Sequence, residues 1–195
     1  MEDTKSIILK ALSGCERPMH DLILWLKDSD FFTAPASTRF HGAHRGGLAE
    51  HSLCVYNTLL NLGNSFNIHY PLDSMVICGL LHDICKVDFY KESTRNVKNE
   101  QTGQWEKIPC YTIEDSLPIG HGEKSVIILQ RFMYLTEDEA YAIRWHMGGF
   151  DDAARGYAGG IMLSNAFQKC PLAVLLHMAD LAASYLVEER KEQEW

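Results

Sequence analysis

Six side chains that bind cations well stand far apart in this sequence. They are His51 in "RGGLAEHSL", the pair His82 and Asp83 in "GLLHDICK", His121 in "GHGEKS", His146 in "RWHMGG" and Asp180 in "HMADLAASYL". Imidazole and carboxylate are the ligands that hold Mn, Fe, Co, Ni or Zn. Gathered at one point they could carry metal-assisted hydrolysis of an anionic ester. Each also has an ordinary reading. Asp180 is surrounded in sequence by Leu176, Met178, Ala179, Leu181, Ala182 and Ala183, so its helix reads as buried. A buried carboxylate is costly unless paired or metal-bound. Alone, it could equally pair with a distant Arg or Lys, the nearest downstream being Arg190, or sit on a narrow polar face beside Ser184. Neighbouring helical residues point about 100° apart, so His82 and Asp83 reach one ion only if it lies between their directions near the helix end. Taken alone, that dipeptide is better read as polar residues closing a helix. His146 falls in a last helical turn, where a histidine is favourable anyway. His121 opens a helix between two glycines, where a cation gains nothing from the dipole, and is the more informative of the two.

The elements that must position these residues read as mostly helical. Residues 4–13 form an amphipathic helix ending at Gly14, and Pro18 opens a second that runs to about Lys27. Residues 30–45 read as loop. A third helix spans about Gly47 to Leu62 and stops near Gly63. A fourth starts at Pro71 and continues through "MVICGLLHDICK". Residues 88–118 alternate aromatic, β-branched and charged residues around a polar "EQT", the pattern of a β-hairpin excursion. Helical periodicity resumes at "GEKSVIILQRFM". Thr136 and Glu139 form a capping box for the next helix, which Gly148 stops. The stretch 148–160 reads as a surface loop, with a mobile lid as the alternative. A short helix near "IMLSNAFQK" and a long one from Pro171 close the chain. The expected architecture is a single all-α domain over 1–195, a helical bundle with a small hairpin.

Composition narrows the partners. The formal net charge is −8 and the basic residues form no run, which argues against a long nucleic-acid footprint. Six cysteines without a CxxC pair suggest reduced thiols in a cytoplasmic protein. The acidic, then amphipathic N-terminus does not read as a signal peptide, and no apolar run is long enough to span a bilayer.

The order His, His-Asp, His, His, Asp resembles that of the HD-domain phosphohydrolases. His51, His82-Asp83 and Asp180 match the core signature, and His121 and His146 match the extra histidines of the two-metal branch. "RGGLAEHS" and "LLHDICK" are most similar to the catalytic domain of a 3′–5′ exoribonuclease group. The resemblance covers about residues 40–190. It departs in three ways. The stretch before His41 is too short for that group's nucleic-acid-binding OB module, no GYP signature is present, and Cys85 stands where many relatives have the glycine of "HDIGK". The 88–118 hairpin is an insertion that matches no one subfamily.

The resemblance implies that His51, His82, Asp83 and Asp180 hold one divalent transition metal, with Asp83 bridging to a second held by His121 and His146. The chemistry would be cleavage of a phosphomonoester or phosphodiester by a metal-activated hydroxide. The substrate would be a phosphorylated small molecule, a nucleotide or a short oligonucleotide. Asp83 and Lys86 are the candidate catalytic residues. Lys86, three positions after Asp83, is also a candidate phosphate contact, with Arg45, Arg144 and Lys124 behind it. Each of these cations also has an ordinary role, Lys86 as a helix-terminal lysine and the others as solvated surface charge. His41 and His44 could touch substrate, and His177 could support Asp180. The alternatives are an exonuclease-like activity on single strands, which the net charge disfavours, and a non-catalytic ligand-sensing module, against which the filled ligand positions count.

Overall fold

Apolar stripes at helical spacing decide the architecture. The computed structural model describes residues 3–40 and 42–188, so His41 and Arg190 lie outside the described residues. Helix α1 (Thr4–Ser13) buries Ile8 and Leu12 and starts where the Asp3 carboxylate accepts the Ser6 amide at 2.6 Å. Helix α2 (His20–Asp28) buries Leu22 and Leu26. The 20-residue α3 (Gly47–Phe66) buries Leu48, Val55 and Leu59 on the face that also carries His51. Helix α4 (Leu72–Leu81) is apolar around most of its girth and buries every residue from Ser74 to Leu81, as a central helix must.

Strands β1 (Tyr90–Lys98) and β2 (Trp105–Ile113) pair antiparallel from Tyr90↔Ile113 to Lys98↔Trp105. They form the expected hairpin, standing away from the core, with Trp105 71% exposed. Helix α5 (His121–Leu129) follows. Helix α6 (Glu137–Trp145) opens with the full Thr136–Glu139 capping box. Helices α7 (Tyr157–Lys169) and α8 (Pro171–Ala182) complete the set, with one π-helical turn, Ala183–Val187, beyond α8. Helix α3 packs on α4 and α8, and α6 packs on α8 and α5. One core, including Leu48, Leu59, Ile77, Leu80, Leu172 and Leu176, runs between them. Each fully buried aliphatic side chain there contributes roughly 1.5–3 kcal/mol. No single helix among the described residues is long and apolar enough to cross a membrane.

Several boundaries differ from the sequence expectation. Helix α4 ends at Leu81, so His82 is its cap and Asp83 leads into a 3-10 turn, Ile84–Lys86. Helix α3 runs through Gly63 to Phe66 and ends in a left-handed Asn67. The glycine-rich stretch after His146 holds two 3-10 turns, and α7 begins at Tyr157.

Two glycines let backbone approach backbone where the histidines must meet. A Cβ on Gly47 would lie 2.0 Å from the Gly42 carbonyl oxygen, and one on Gly122 would lie 2.2 Å from the Arg144 carbonyl oxygen. The first seats the 30–46 loop against the start of α3. The second presses the start of α5 onto the end of α6, bringing His121 beside His146.

Candidate metal centre

Asp83 lies at the middle of the site because α4 stops just before it. Asp83 itself leaves helical geometry, at φ −100° and ψ 17°, and its carboxylate faces side chains from α3, α5 and the end of α6. Its two oxygens face different partners. Oδ1 lies 2.7 Å from His121 Nε2 and 3.4 Å from His146 Nε2. Oδ2 lies 3.6 Å from His82 Nε2, 3.7 Å from His51 Nε2 and 2.6 Å from Lys86 Nζ. Asp180 Oδ1, on α8, reaches His51 Nε2 at 3.2 Å. The imidazoles stand in a row, with ring centroids 5.4 Å apart for His51–His82, 4.9 Å for His82–His146 and 5.0 Å for His121–His146. All six side chains singled out in the sequence therefore converge. His51, His82, Asp83 and His146 are buried there.

The rings are aimed as ligands. His82 Nδ1–H donates to the Gly79 carbonyl at 3.1 Å, and His146 Nδ1–H donates to the Ile143 carbonyl at 2.7 Å. His51 Nδ1–H donates to Glu188 Oε1 at 2.6 Å. Tying Nδ1 to an oxygen fixes the tautomer and leaves Nε2 facing the cluster. His82 Nε2 is buried and makes no hydrogen bond among the described residues, a costly state for a polar atom that a cation would relieve.

Electrostatics point the same way. Burial holds His82 neutral, pushing its pKa down to about 3, so its nitrogen lone pair stays free. Burial opposes charge on His51 too, but Asp180, Glu188 and Asp83 outweigh it and raise the pKa to about 9. His121 is raised to about 10, where Cys85 and Asp83 overcome the same burial. Burial alone would raise the Asp83 carboxyl, yet Lys86, His82, His121 and His146 hold it well below the usual range. Asp180 is likewise lowered, by His51 above all, against its burial. The cluster is a buried nest of ionised carboxylates that draws positive charge to its centre. Three sets of ligand atoms come within 4.8 Å of one another: His51, His82 and Asp180; His82, Asp83 and His146; and Asp83, Cys85 and His121. Donor types and spacing fit a divalent transition metal.

The other candidates have diverse placements. Lys86 is bonded to Asp83, with its side chain 12% exposed. Arg144 is held by Glu123 and Asp151 and stacks on Trp145. Lys124 is buried, pairs with Asp115 at 2.6 Å and lies over the Phe89 ring. Arg45 is exposed and forms no ion pair among the described residues. His44 lies 3.5 Å from Glu50. His177 does not reach Asp180. Its Nδ1–H donates to the His146 carbonyl at 2.6 Å and steadies the turn after that ligand.

Two features escaped the sequence reading. Glu188, behind His51, falls in the charged "EER" at the end of the long helix expected from Pro171 and was given no role there. Cys85 places its thiol 3.3 Å from His121 Nδ1 and 3.7 Å from Nε2, so it lines the site as well as altering the packing.

No curated protein and no solved structure matches this chain. The family comparison does find a match, to the HD domain over residues 48–185, a span that starts one turn before His51 and ends beyond Asp180. With that span and the converged histidine–aspartate cluster together, the chain belongs to the HD domain family of metal-dependent phosphohydrolases.

Proposed function

We propose that this protein hydrolyses a phosphate ester, monoester or diester, of a nucleotide or short oligonucleotide, using two divalent transition-metal ions. The observation that carries the reading is the division of labour at Asp83. One carboxylate oxygen faces His121 and His146 while the other faces His51 and His82, with Asp180 behind. That is how a bridging ligand between two ion positions would be arranged. Ions bound there would polarise the phosphoryl group and lower the pKa of the attacking water.

The chain's own groups do the rest. Nδ1 contacts to Glu188, Gly79 and Ile143 hold three imidazoles in the ligating tautomer, so little reorganisation is needed when charge develops. Lys86 keeps its ammonium beside Asp83, at the partly open edge of the site, where it can meet a phosphoryl oxygen. Arg144 and Lys124 are committed to carboxylates. Arg45 is exposed and makes no ion pair among the described residues. Six free thiols suit a reducing compartment such as the cytoplasm.

Elemental analysis of the purified protein, together with turnover of mono- and bis-nitrophenyl phosphate, tests the reading. About two transition-metal ions per chain are expected. Asp83→Ala should lose bound metal and turnover by more than the roughly 10–100-fold that a supporting residue costs, with the helical circular dichroism retained. Undiminished turnover in that variant rules the mechanism out. Full metal loading without turnover on any phosphate ester points to a cation-dependent sensing module instead.

A further inference from the structure

A groove of about 1030 Å³ lies between the hairpin and the loop that precedes α3. Its size sits at the top of the range of roughly 300–1,000 Å³ for small-ligand pockets. Its charged lining is one-sided: Arg39 and Arg45 from the loop and Arg95 from β1, with His44, against the single carboxylate of Glu92. This concentration occurs on a chain of net charge −8. Arg39 and Arg45 are exposed and make no ion pair among the described residues. Tyr111 on β2, paired with Glu92 in the hairpin register, also lines the groove.

The segments that line the groove lead along the chain to the metal centre. The loop bearing Arg39 and Arg45 runs directly into α3, whose second turn carries His51. Strand β1 begins at Tyr90, just past Lys86, and the Tyr90 hydroxyl donates to the Ala36 carbonyl at 3.3 Å, closing hairpin onto loop. On the hairpin's other flank, Lys124 sits over Phe89 and bonds Asp115, fixing both feet of the insertion to the helix that carries His121. A substrate whose scissile phosphate reached Lys86 would thus have its next phosphates directed along an arginine-lined wall.

We infer that this groove is a second phosphate-binding subsite, formed by Arg39, Arg45 and Arg95, that engages phosphates of the substrate away from the ester being cleaved. It selects substrates that carry several phosphates in line. The inference rests on the phosphohydrolase reading for its effect on turnover, but not for binding itself. Guanidinium groups suit this task because their planar donor fork matches phosphate oxygens, and Tyr111 offers a face on which a base can stack.

The test is fluorescence anisotropy with the metal-loaded protein and labelled, hydrolysis-resistant phosphorothioate oligothymidylates, from dinucleotide to hexanucleotide. Affinity should rise with length. The double variant Arg39→Ala/Arg45→Ala should lose that length dependence and bind the hexanucleotide at least about tenfold more weakly. Its slope of log affinity against log salt should fall by about 1.4, the equivalent of two single-strand phosphate contacts. Glu92→Gln should tighten binding by removing the opposing charge. Displacement of the probe by tripolyphosphate marks a bare phosphate chain as the ligand, and displacement by unlabelled oligothymidylate alone marks a nucleotide chain. Both outcomes support the subsite. Affinity indifferent to both arginines and to Glu92 overturns it, even if the protein hydrolyses nitrophenyl phosphates. Arginine-dependent binding by a protein that turns over no ester would overturn the phosphohydrolase reading alone.

Discussion

At the scale of single residues, the site depends on side chains behind the converged cluster. Glu188 holds His51 by Nδ1 at 2.6 Å, and the loss of such a partner typically costs 10–100-fold in metal affinity. Glu188→Ala should therefore weaken metal binding by about that factor in calorimetric titration. Glu188→Gln, which still offers an acceptor oxygen, should fall between the alanine variant and the wild type. Equal affinity in all three would mean that His51 is oriented by packing alone. The six candidate ligands were legible in the sequence only together: each had an ordinary reading alone, but their order and types, with a buried carboxylate that must be paired or bound to a cation, pointed to one site. Glu188 was not, because a glutamate among charges near the end of a helix looks solvated until the π-helical turn and the packing of α8 on α3 bring it inward.

At the scale of elements, helix existence was legible and helix ends were not. The apolar run of α4 looked continuous through "MVICGLLHDICK", yet the helix stops at Leu81. The reason is tertiary: Asp83, between α4 and the 3-10 turn at φ −100° and ψ 17°, faces four histidines and Lys86. The hairpin was legible from its alternating pattern, while its pinning to α5 through buried Lys124 was not, since a lysine in sequence reads as solvated charge. The contact of α5 with α6 gives a sharp expectation. A methyl group at Gly122 would overlap the Arg144 carbonyl, so Gly122→Ala should destabilise by about 3 kcal/mol, the upper end of overpacking costs. It should also move His121 away from Asp83 and His146. Urea denaturation measures the first effect and metal stoichiometry the second. An unchanged unfolding midpoint would show that the two helices can separate at little cost.

At the scale of the whole molecule, one buried network ties early chain to late. Glu139, fully buried in the first turn of α6, accepts bonds from the Arg17 guanidinium, the Ser74 hydroxyl at 2.6 Å and the Thr136 amide at 2.9 Å. Burial raises its pKa, but these partners, Arg17 foremost, win and hold it below the ordinary glutamate value. A carboxyl lowered in the folded state contributes stability that is complete above its unfolded pKa and lost as pH falls through its folded one. Acidification below the ordinary glutamate range should therefore erode stability in the wild type, and Glu139→Gln should remove that part of the slope. The same variant should cost about 2–3 kcal/mol at neutral pH, less than the roughly 3–5 kcal/mol for a fully buried pair, because Arg17 keeps Asp73 and partial solvent access. Parallel pH profiles of the two proteins in urea titrations would remove Glu139 as the cause.

His51 and Glu188 lie 137 residues apart in sequence, and Asp180 closes the same imidazole from the far end of the chain. No segment that stops short of Asp180 and Glu188 can therefore complete the set of partners around His51. Tight metal uptake becomes a signature of the finished tertiary structure, and chelation should lower the melting temperature of the entire molecule in one cooperative step, with no separate loosening of the helices around His82.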